Sequence, residues 1–153
     1  MKLSDELVHF LHRQGQTVIS TIDEDGSIHN SCKGIVEIDK EGNIYLLDLY
    51  KQRTYENLKN NNHITLTVVD EHKFEGYCLK GKATIVDEKK VSSKTIEAWE
   101  KKITGRISQR ILKNVHGQKG HPKHPEMLLP KPEYLIMMEI DKIVDLTPQI
   151  LKP

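Results

Sequence analysis

The sequence has little of several features that mark whole classes of protein. Its 153 residues include two cysteines, Cys32 and Cys78, which lie far apart and form no CxxC motif. Such spacing is unlike the cysteine framework of a small secreted protein, so the simplest expectation is a reduced, cytoplasmic protein. No apolar run approaches the ~18 residues of a membrane span, and the first residues, MKLSDELVHFLHRQ, lack the apolar core of a signal peptide. We therefore expect no membrane association.

The sequence also lacks an excess of either charge and has few aromatic residues. The chain has 23 basic and 22 acidic residues, a net charge of +1, and 5% aromatic residues. Proteins that bind single-stranded nucleic acid usually combine a positive groove with stacking aromatic side chains. A small barrel that holds nucleic acid through Lys51, Arg53, Lys59, Lys80 and Lys82 is the alternative from another class, and this composition disfavours it.

The hydrophobic pattern predicts one domain over residues 1–153, mainly β with flanking helices, an α+β class. A helix is predicted at 4–14 and another at 54–61, and strands are predicted at 17–22, 27–38, 44–49, 63–70, 74–86 and 133–147. The short, turn-rich connections favour an antiparallel meander. Because no edge strand carries obvious protection, we expect a six-stranded antiparallel barrel rather than a sandwich.

The segment before the last strand has a different character. Between Glu88 and Asn114 the apolar residues, including Trp99, recur at helical spacing and predict a helical segment with a kink at Gly105 or a break there into two helices. Glycines and prolines predict a loop over 115–132, with three histidines between His116 and His124. These histidines could bind a metal or form part of a lid, but no cysteine lies near them. A polar loop without a metal is the expectation.

The start of the helix at 54–61 raises the question of function. Lys51 and Arg53 stand at the positive end of the helix dipole, where cations are unfavourable unless an anion binds. The Thr54 hydroxyl is a candidate helix cap, although Asn57 stands where a capping box needs Glu or Gln. A bound phosphate and a solvated polar loop both fit these residues.

Longer motifs carry a resemblance to a known family. RTYENLKNN at 53–61, before an apolar strand, and GYCLKGKA at 76–83 stand in the same order as in other members. From about Thr17 to Val86 the chain resembles the pyridoxamine 5'-phosphate oxidase-like family of FMN-binding split β-barrels, with a weaker echo in IDKIVDLTP. Thr54 stands where the oxidases proper prefer Lys, which favours the broader flavin reductase-like group.

The resemblance implies FMN as cofactor and a set of residues around it. Arg53 and Thr54 match positions that hold the flavin phosphate, with Lys51 and Gln52 beside them. The remaining matches are positions along the isoalloxazine ring, at Asn30, Ser31 and Cys32, and beside the ribityl chain, at Asp48 and Leu49. Such proteins are homodimers with the flavin at the subunit interface. The helix containing Trp99 is a candidate for that interface, and ordinary packing on the barrel is as good an explanation.

In such a protein the flavin would pass electrons between NAD(P)H and a small-molecule acceptor. No acid/base pair or nucleophile stands out, so no catalytic residue is assigned. Cys32 has redox chemistry of its own, but a small buried apolar residue is the expected role. The alternatives are a non-catalytic flavin carrier or sensor and, since some split-barrel relatives bind haem, a haem protein.

Overall fold

The computed structural model describes residues 1–48, 50–90, 93–94, 96–98, 100–101 and 133–152. Two helices, α1 and α2, and six strands, β1 to β6, form the framework of these residues. In chain order they are α1 (Asp5–Arg13), β1 (Thr17–Ile22), β2 (Ile28–Ile38), β3 (Ile44–Asp48), α2 (Arg53–Asn60), β4 (His63–Asp70), β5 (Glu75–Asp87) and β6 (Tyr134–Asp145). Short 3-10 turns follow β5 at Glu88–Lys90 and β6 at Gln149–Leu151.

The strands close into a barrel with the order β1-β2-β3-β6-β5-β4, and every neighbouring pair is antiparallel. The predicted fold class, a six-stranded antiparallel barrel with flanking helices, is therefore confirmed. One feature departs from a simple meander. β6, the last strand in the sequence, lies between β3 and β5 and pairs with both, so the barrel closes through a strand distant from its neighbours in the chain.

The barrel interior follows from the alternation of side chains along the strands. β1 has the burial pattern of alternate buried and more exposed residues that a half-buried strand requires. The completely buried side chains, with no solvent exposure, are Leu11, Ile19, Ile44, Leu46, Leu66, Leu79, Tyr134, Ile136 and Met138. Burial of this apolar surface is the main favourable contribution to folding.

α1 closes part of this core. The Ser4 side chain caps the helix by accepting a hydrogen bond from the Leu7 N–H, and Leu7, Phe10 and Leu11 are buried. The predicted helix at 4–14 is confirmed, as is the helix at 54–61, which begins one residue earlier than expected. Residues 93–94, 96–98 and 100–101 are helical, in line with the predicted helical segment. Trp99, Gly105 and the predicted loop at 115–132 lie outside the described residues.

The turn between β1 and β2 matters for the site described below. The Asp23 N–H donates to the Ser27 carbonyl and the Gly26 N–H donates to the Asp23 carbonyl, at 2.8 and 2.9 Å. Gly26 has a φ of 85°, which a glycine adopts without a steric penalty. The turn thereby holds the Asp23 carboxylate next to α2.

Candidate functional site

α2 lies against β1, β2 and β5 and brings the predicted phosphate residues onto the barrel. Its buried side chains are Thr54, Asn57 and Leu58. The helix begins at Arg53 with Gln52 as its N-cap, and the Gln52 side chain makes no capping hydrogen bond. The expectation that Thr54 caps the helix is therefore wrong, because Thr54 lies within the first turn and its side chain packs towards β2.

Two of the predicted residues meet at this point. Ser31 Oγ on β2 lies 3.1 Å from Thr54 Oγ1, and Thr54 is 4% exposed. The first intrahelical hydrogen bond runs from the Glu56 N–H to the Gln52 carbonyl at 3.1 Å. The helix therefore offers no acceptor to the N–H groups of residues 53–55. An uncapped helix start beside two hydroxyl groups fits an anion such as a phosphate.

The two cations of the motif flank this helix start. The Arg53 side chain is 67% exposed, and its Nη1 lies 3.6 Å from Asp23 Oδ2. Lys51 is exposed, with Nζ 5.5 Å from the centroid of the Tyr55 ring, and its N–H donates to Glu133 Oε2 at 3.0 Å. Gln52 is exposed between them. All four predicted phosphate residues are thus adjacent, and both cations remain accessible.

Asn57 connects α2 to the turn after β1. Its side-chain Nδ2 donates to Thr21 Oγ1 at 3.0 Å and to Asp23 Oδ1 at 2.7 Å. Asn57 and Thr21 are both buried. Asp23 is not among the residues predicted from the sequence. The one signal in the sequence was Asn57 of the RTYENLKNN motif. A buried Asn side chain needs hydrogen-bond partners, and Asp23 is one of them.

A second buried polar group lies under the other side of α2. Lys33 Nζ is 2.6 Å from Asp48 Oδ1, and the Tyr134 hydroxyl donates to Asp48 Oδ2 at 2.5 Å. The Tyr134 ring meets the Tyr55 ring of α2 edge-on, with centroids 5.0 Å apart. Burial and then the hydrogen bond to Asp48 raise the pKa of Tyr134 well above its usual range. Asp48 is the last residue of β3 and is 5% exposed.

The predicted ring contacts on β2 fall on two faces of the strand. Ser31 points to the α2 side, whereas Asn30 and Cys32 lie opposite Ser20 and Val18 of β1 on the outer side. Ser20 Oγ donates to Asn30 Oδ1 at 2.7 Å, and Cys32 is exposed. The expectation of a buried Cys32 is wrong because strand alternation turns it outward. Leu49, the remaining predicted residue, lies outside the described residues.

An acidic groove adjoins the helix start. Its volume is about 830 Å³, and its lining residues are Asp23, Glu24, Asp25, Arg53, Glu56, Asn57 and Asn60. Side-chain and backbone hydrogen bonds from Ser27 lower the pKa of Asp25, and the nearby Arg53 lowers it further. Arg53 is the single cation among these lining residues, so the candidate phosphate site borders a negatively charged region.

The described ranges contain neither a candidate metal cluster nor a membrane-spanning helix. No group of three or more His, Cys, Asp or Glu residues there is arranged to hold a metal ion. The histidines between His116 and His124 lie outside those ranges. None of the helices in the described part of the chain is long and apolar enough to cross a membrane.

Comparison with known families gives a decisive match. The sequence profile of the family described as pyridoxamine 5'-phosphate oxidase matches residues 3–129. The chain belongs to this family. A comparison with curated protein sequences found no match.

Solved structures similar to this member of the pyridoxamine 5'-phosphate oxidase family share its fold at low sequence identity. HupZ of Group A Streptococcus has a TM-score of 0.66 and 18% identity, covering 95% of this chain and 94% of HupZ. An F420 reductase has a TM-score of 0.58 and 15% identity, with coverage of 93% and 98%. HutZ of Vibrio cholerae, described as a haem storage protein, has a TM-score of 0.55 and 16% identity, with 94% of both chains covered.

Proposed function

We propose that this protein binds FMN non-covalently and is a flavin-dependent oxidoreductase that passes electrons between NAD(P)H and a small-molecule acceptor. The observation that carries the proposal is the start of α2, where Thr54 meets Ser31, the first-turn N–H groups have no helical acceptor, and Lys51 and Arg53 flank the opening. Hydrogen bonds from charged donors to phosphate are among the strong ones in proteins. The F420 reductase with the same fold is consistent with a redox role.

The flavin would supply the hydride chemistry, and the chain would supply binding and orientation. Lys51, Gln52, Arg53 and Thr54 would hold the phosphate. The side chain of Asp48 is already engaged by Lys33 and Tyr134, so we expect it to shape the wall beside Leu49 and the ribityl chain. Asn30 and Cys32 would lie along the ring on the outer side of β2, with Ser31 on the inner side.

We further propose a homodimer with the flavin between the subunits. Asn30 and Cys32 share the outer face of β1 and β2 with apolar side chains that remain exposed in the described part of the chain, among them Val18 at 39% and Ile28 at 72%. A ring placed along this face would be open to water on one side. A second subunit that covers the face would bury both the ring and these side chains. The free thiols Cys32 and Cys78 suit a reducing, cytoplasmic location.

The absorption spectrum of the concentrated purified protein is the first test, recorded before and after addition of FMN and removal of the excess. A retained flavin spectrum would support FMN binding. A Soret band would favour haem instead, the ligand of the haem storage protein HutZ, which has the same fold. Steady-state oxidation of NADH or NADPH by the flavin-loaded protein would separate an enzyme from a carrier or sensor, since both need the same phosphate site.

The double substitution Arg53→Ala with Thr54→Ala tests the phosphate residues. We expect FMN affinity to fall by about 100-fold, because a charged and a neutral hydrogen-bond donor are lost together. Affinity for riboflavin, which has no phosphate, should change little. Isothermal titration with both ligands measures this, and circular dichroism checks the fold. Undiminished FMN affinity in the double variant would refute the assignment of the phosphate to this helix start.

A further inference from the structure

Asp23 contacts α2 at two positions one helical turn apart. Asp23 Oδ1 accepts a hydrogen bond from Asn57 Nδ2 at 2.7 Å, and Asp23 Oδ2 lies 3.6 Å from Arg53 Nη1. Residues four apart in a helix lie on the same face, so one carboxylate reaches both. The Asp23 side chain is 19% exposed and is fixed at its backbone by the hydrogen bonds of the β1–β2 turn.

These contacts connect α2 to the β1–β2 turn. Asn57 is anchored by Thr21 as well as by Asp23, and Thr21 is 2% exposed. Arg53 is exposed and has a long side chain with many rotamers, so it loses conformational entropy when it is held in one place. The ion pair to Asp23 limits that freedom before any ligand arrives. The guanidinium has five N–H donors, and contact with Asp23 through one nitrogen leaves others for a phosphate.

Simple electrostatics gives the opposite expectation for Asp23. The groove beside Arg53 already contains the carboxylates of Glu24, Asp25 and Glu56. Each negative charge near the helix start weakens the binding of an anion. If charge alone mattered, neutralising Asp23 and neutralising Asp25 would both strengthen phosphate binding. The contacts of the two residues differ, since the hydrogen-bond partner of the Asp25 carboxylate is Ser27 within the same turn.

We propose that Asp23 is a positioning residue for the phosphate of the flavin: it fixes the start of α2 through Asn57 and holds the Arg53 guanidinium ready to bind. This inference rests on the proposed function. It predicts that loss of the Asp23 charge weakens phosphate binding although the site becomes less negative. Asp23 itself does not touch the phosphate, and its effect passes through Arg53 and Asn57.

The matched pair Asp23→Asn and Asp25→Asn tests the proposal, with FMN and riboflavin as ligands measured by titration calorimetry. Both substitutions remove one negative charge from the same groove, and in Asp23→Asn the new amide oxygen can still accept from Asn57. We expect Asp23→Asn to lower FMN affinity by about three- to five-fold, the size of a partly exposed ion pair, while riboflavin affinity stays unchanged. Asp25→Asn should leave FMN affinity unchanged or raise it. Asp23→Ala also removes the oxygen that accepts the hydrogen bond from Asn57. This variant should bind FMN about ten-fold more weakly than the unmodified protein.

Two results would overturn the proposal. If Asp23→Asn raises FMN affinity or leaves it unchanged, Asp23 acts only as a repulsive charge. If it lowers the affinities for FMN and riboflavin equally, its role is structural and not specific to the phosphate. Thermal unfolding of each variant confirms that the compared proteins are folded.

A titration of the ¹⁵N-labelled protein with inorganic phosphate keeps this inference separate from the proposed flavin function. Backbone amide shifts at residues 53–55 report anion binding without any flavin. If the unmodified protein binds no FMN yet phosphate shifts these amides, more weakly in Asp23→Asn than in Asp25→Asn, the flavin proposal fails and the role of Asp23 stands. If Asp23→Asn binds phosphate as well as the unmodified protein, the role of Asp23 is refuted whatever the flavin result.

Discussion

At the scale of single residues, the buried group around Asp48 shows how a polar cluster is accommodated in this core. The Asp48 carboxylate accepts hydrogen bonds from both the Lys33 ammonium and the Tyr134 hydroxyl, and Tyr134 is completely buried. A buried ion pair by itself adds little net stability, since desolvation offsets the attraction. Loss of one partner is nevertheless destabilising, because the remaining charge keeps its desolvation penalty and loses a compensating contact.

Substitution of Tyr134 by Phe isolates the hydroxyl. We expect the free energy of unfolding to fall by about 1–3 kcal/mol at neutral pH, since the ring remains and the buried Asp48 loses one hydrogen-bond donor. Urea denaturation of the two proteins measures the difference. Tyr45→Phe is a suitable control, because its hydroxyl also donates to a carboxylate, that of Asp39, but in a half-buried turn. An equal loss in both variants would contradict a special contribution from the buried site.

The same pair of proteins, Tyr134→Phe and the unmodified chain, has a predictable pH dependence. Burial and the Asp48 hydrogen bond raise the pKa of Tyr134, so the folded state keeps the phenol proton after the unfolded state has lost it. The contribution of Tyr134 to stability is complete below pH about 10 and declines as the pH rises above it. The destabilisation caused by Tyr134→Phe should therefore shrink as the pH rises from about 10 to about 11. A constant difference over that range would argue against the raised pKa.

Some residues of the candidate site could be predicted from the sequence, and others could not. The motif RTYENLKNN and the resemblance it carries assigned Arg53 and Thr54 to the phosphate and Ser31 to the flavin ring, and the structure places Ser31 Oγ 3.1 Å from Thr54 Oγ1. Asp23 and Tyr134 were not found, because each acts through a partner far away in the sequence. Asp23 is 34 residues from Asn57, and Tyr134 is 86 residues from Asp48. Neither residue belongs to a local sequence pattern that predicts such a contact.

Among the strands, the pairing of β5 with β6 depends on Gly81. The register of β5 against β6 shifts between Lys80 and Gly81, which marks a β-bulge. A Cβ added at Gly81 would lie far inside contact distance of the backbone carbonyl of Glu139. The absence of a Cβ at Gly81 therefore allows the two strands to approach closely at the bulge. The close neighbour is the backbone of β6.

Gly81→Ala should therefore be strongly destabilising. We expect a loss of about 3 kcal/mol or more, because a backbone atom has to move to admit the methyl group and the β5–β6 pairing is disturbed. Gly34→Ala is the matched control, since Gly34 is also in a strand and an added Cβ there would have no neighbour within 4 Å. Chemical denaturation of both variants measures the contrast. Similar stabilities for the two would show that the strands can separate at the bulge without a penalty.

At the scale of the whole molecule, closure of the barrel positions the site. β6 joins β3 to β5, and its first residue, Tyr134, pairs with Asp48 at the end of β3. The Glu133 N–H donates to the Asp48 carbonyl, and the Glu133 side chain accepts from the Lys51 N–H. The strand that completes the barrel thus also holds the connection from β3 to α2. The geometry of the phosphate candidate site consequently depends on a strand distant in the chain.

The outer face of β1 and β2 leads to a prediction about assembly. The double substitution Val18→Asp with Ile28→Asp should convert the proposed homodimer into a monomer of 17.6 kDa, since two buried charges would oppose association by several kcal/mol. FMN affinity should fall at the same time, because the ring would lose its cover. Light scattering after size exclusion measures the mass. Ile150→Asp, at an equally apolar position that is 90% exposed beyond β6, should remain a dimer. A fully dimeric double variant would place the interface elsewhere.

The strands, the two helices and the antiparallel character of the fold could be predicted from the sequence, because each depends on local alternation, capping and turn residues. It also indicated the family and the residues of one motif. Three features could be read only from the folded chain: β6 lies between β3 and β5, Cys32 faces outward, and Asp23 contacts α2. The Asp23–Asn57 contact joins residues 34 apart in the chain, and the contact of Tyr134 in β6 with Asp48 in β3 joins residues 86 apart. Such contacts depend on how buried surface and hydrogen bonds are satisfied throughout the barrel, and no local pattern specifies them.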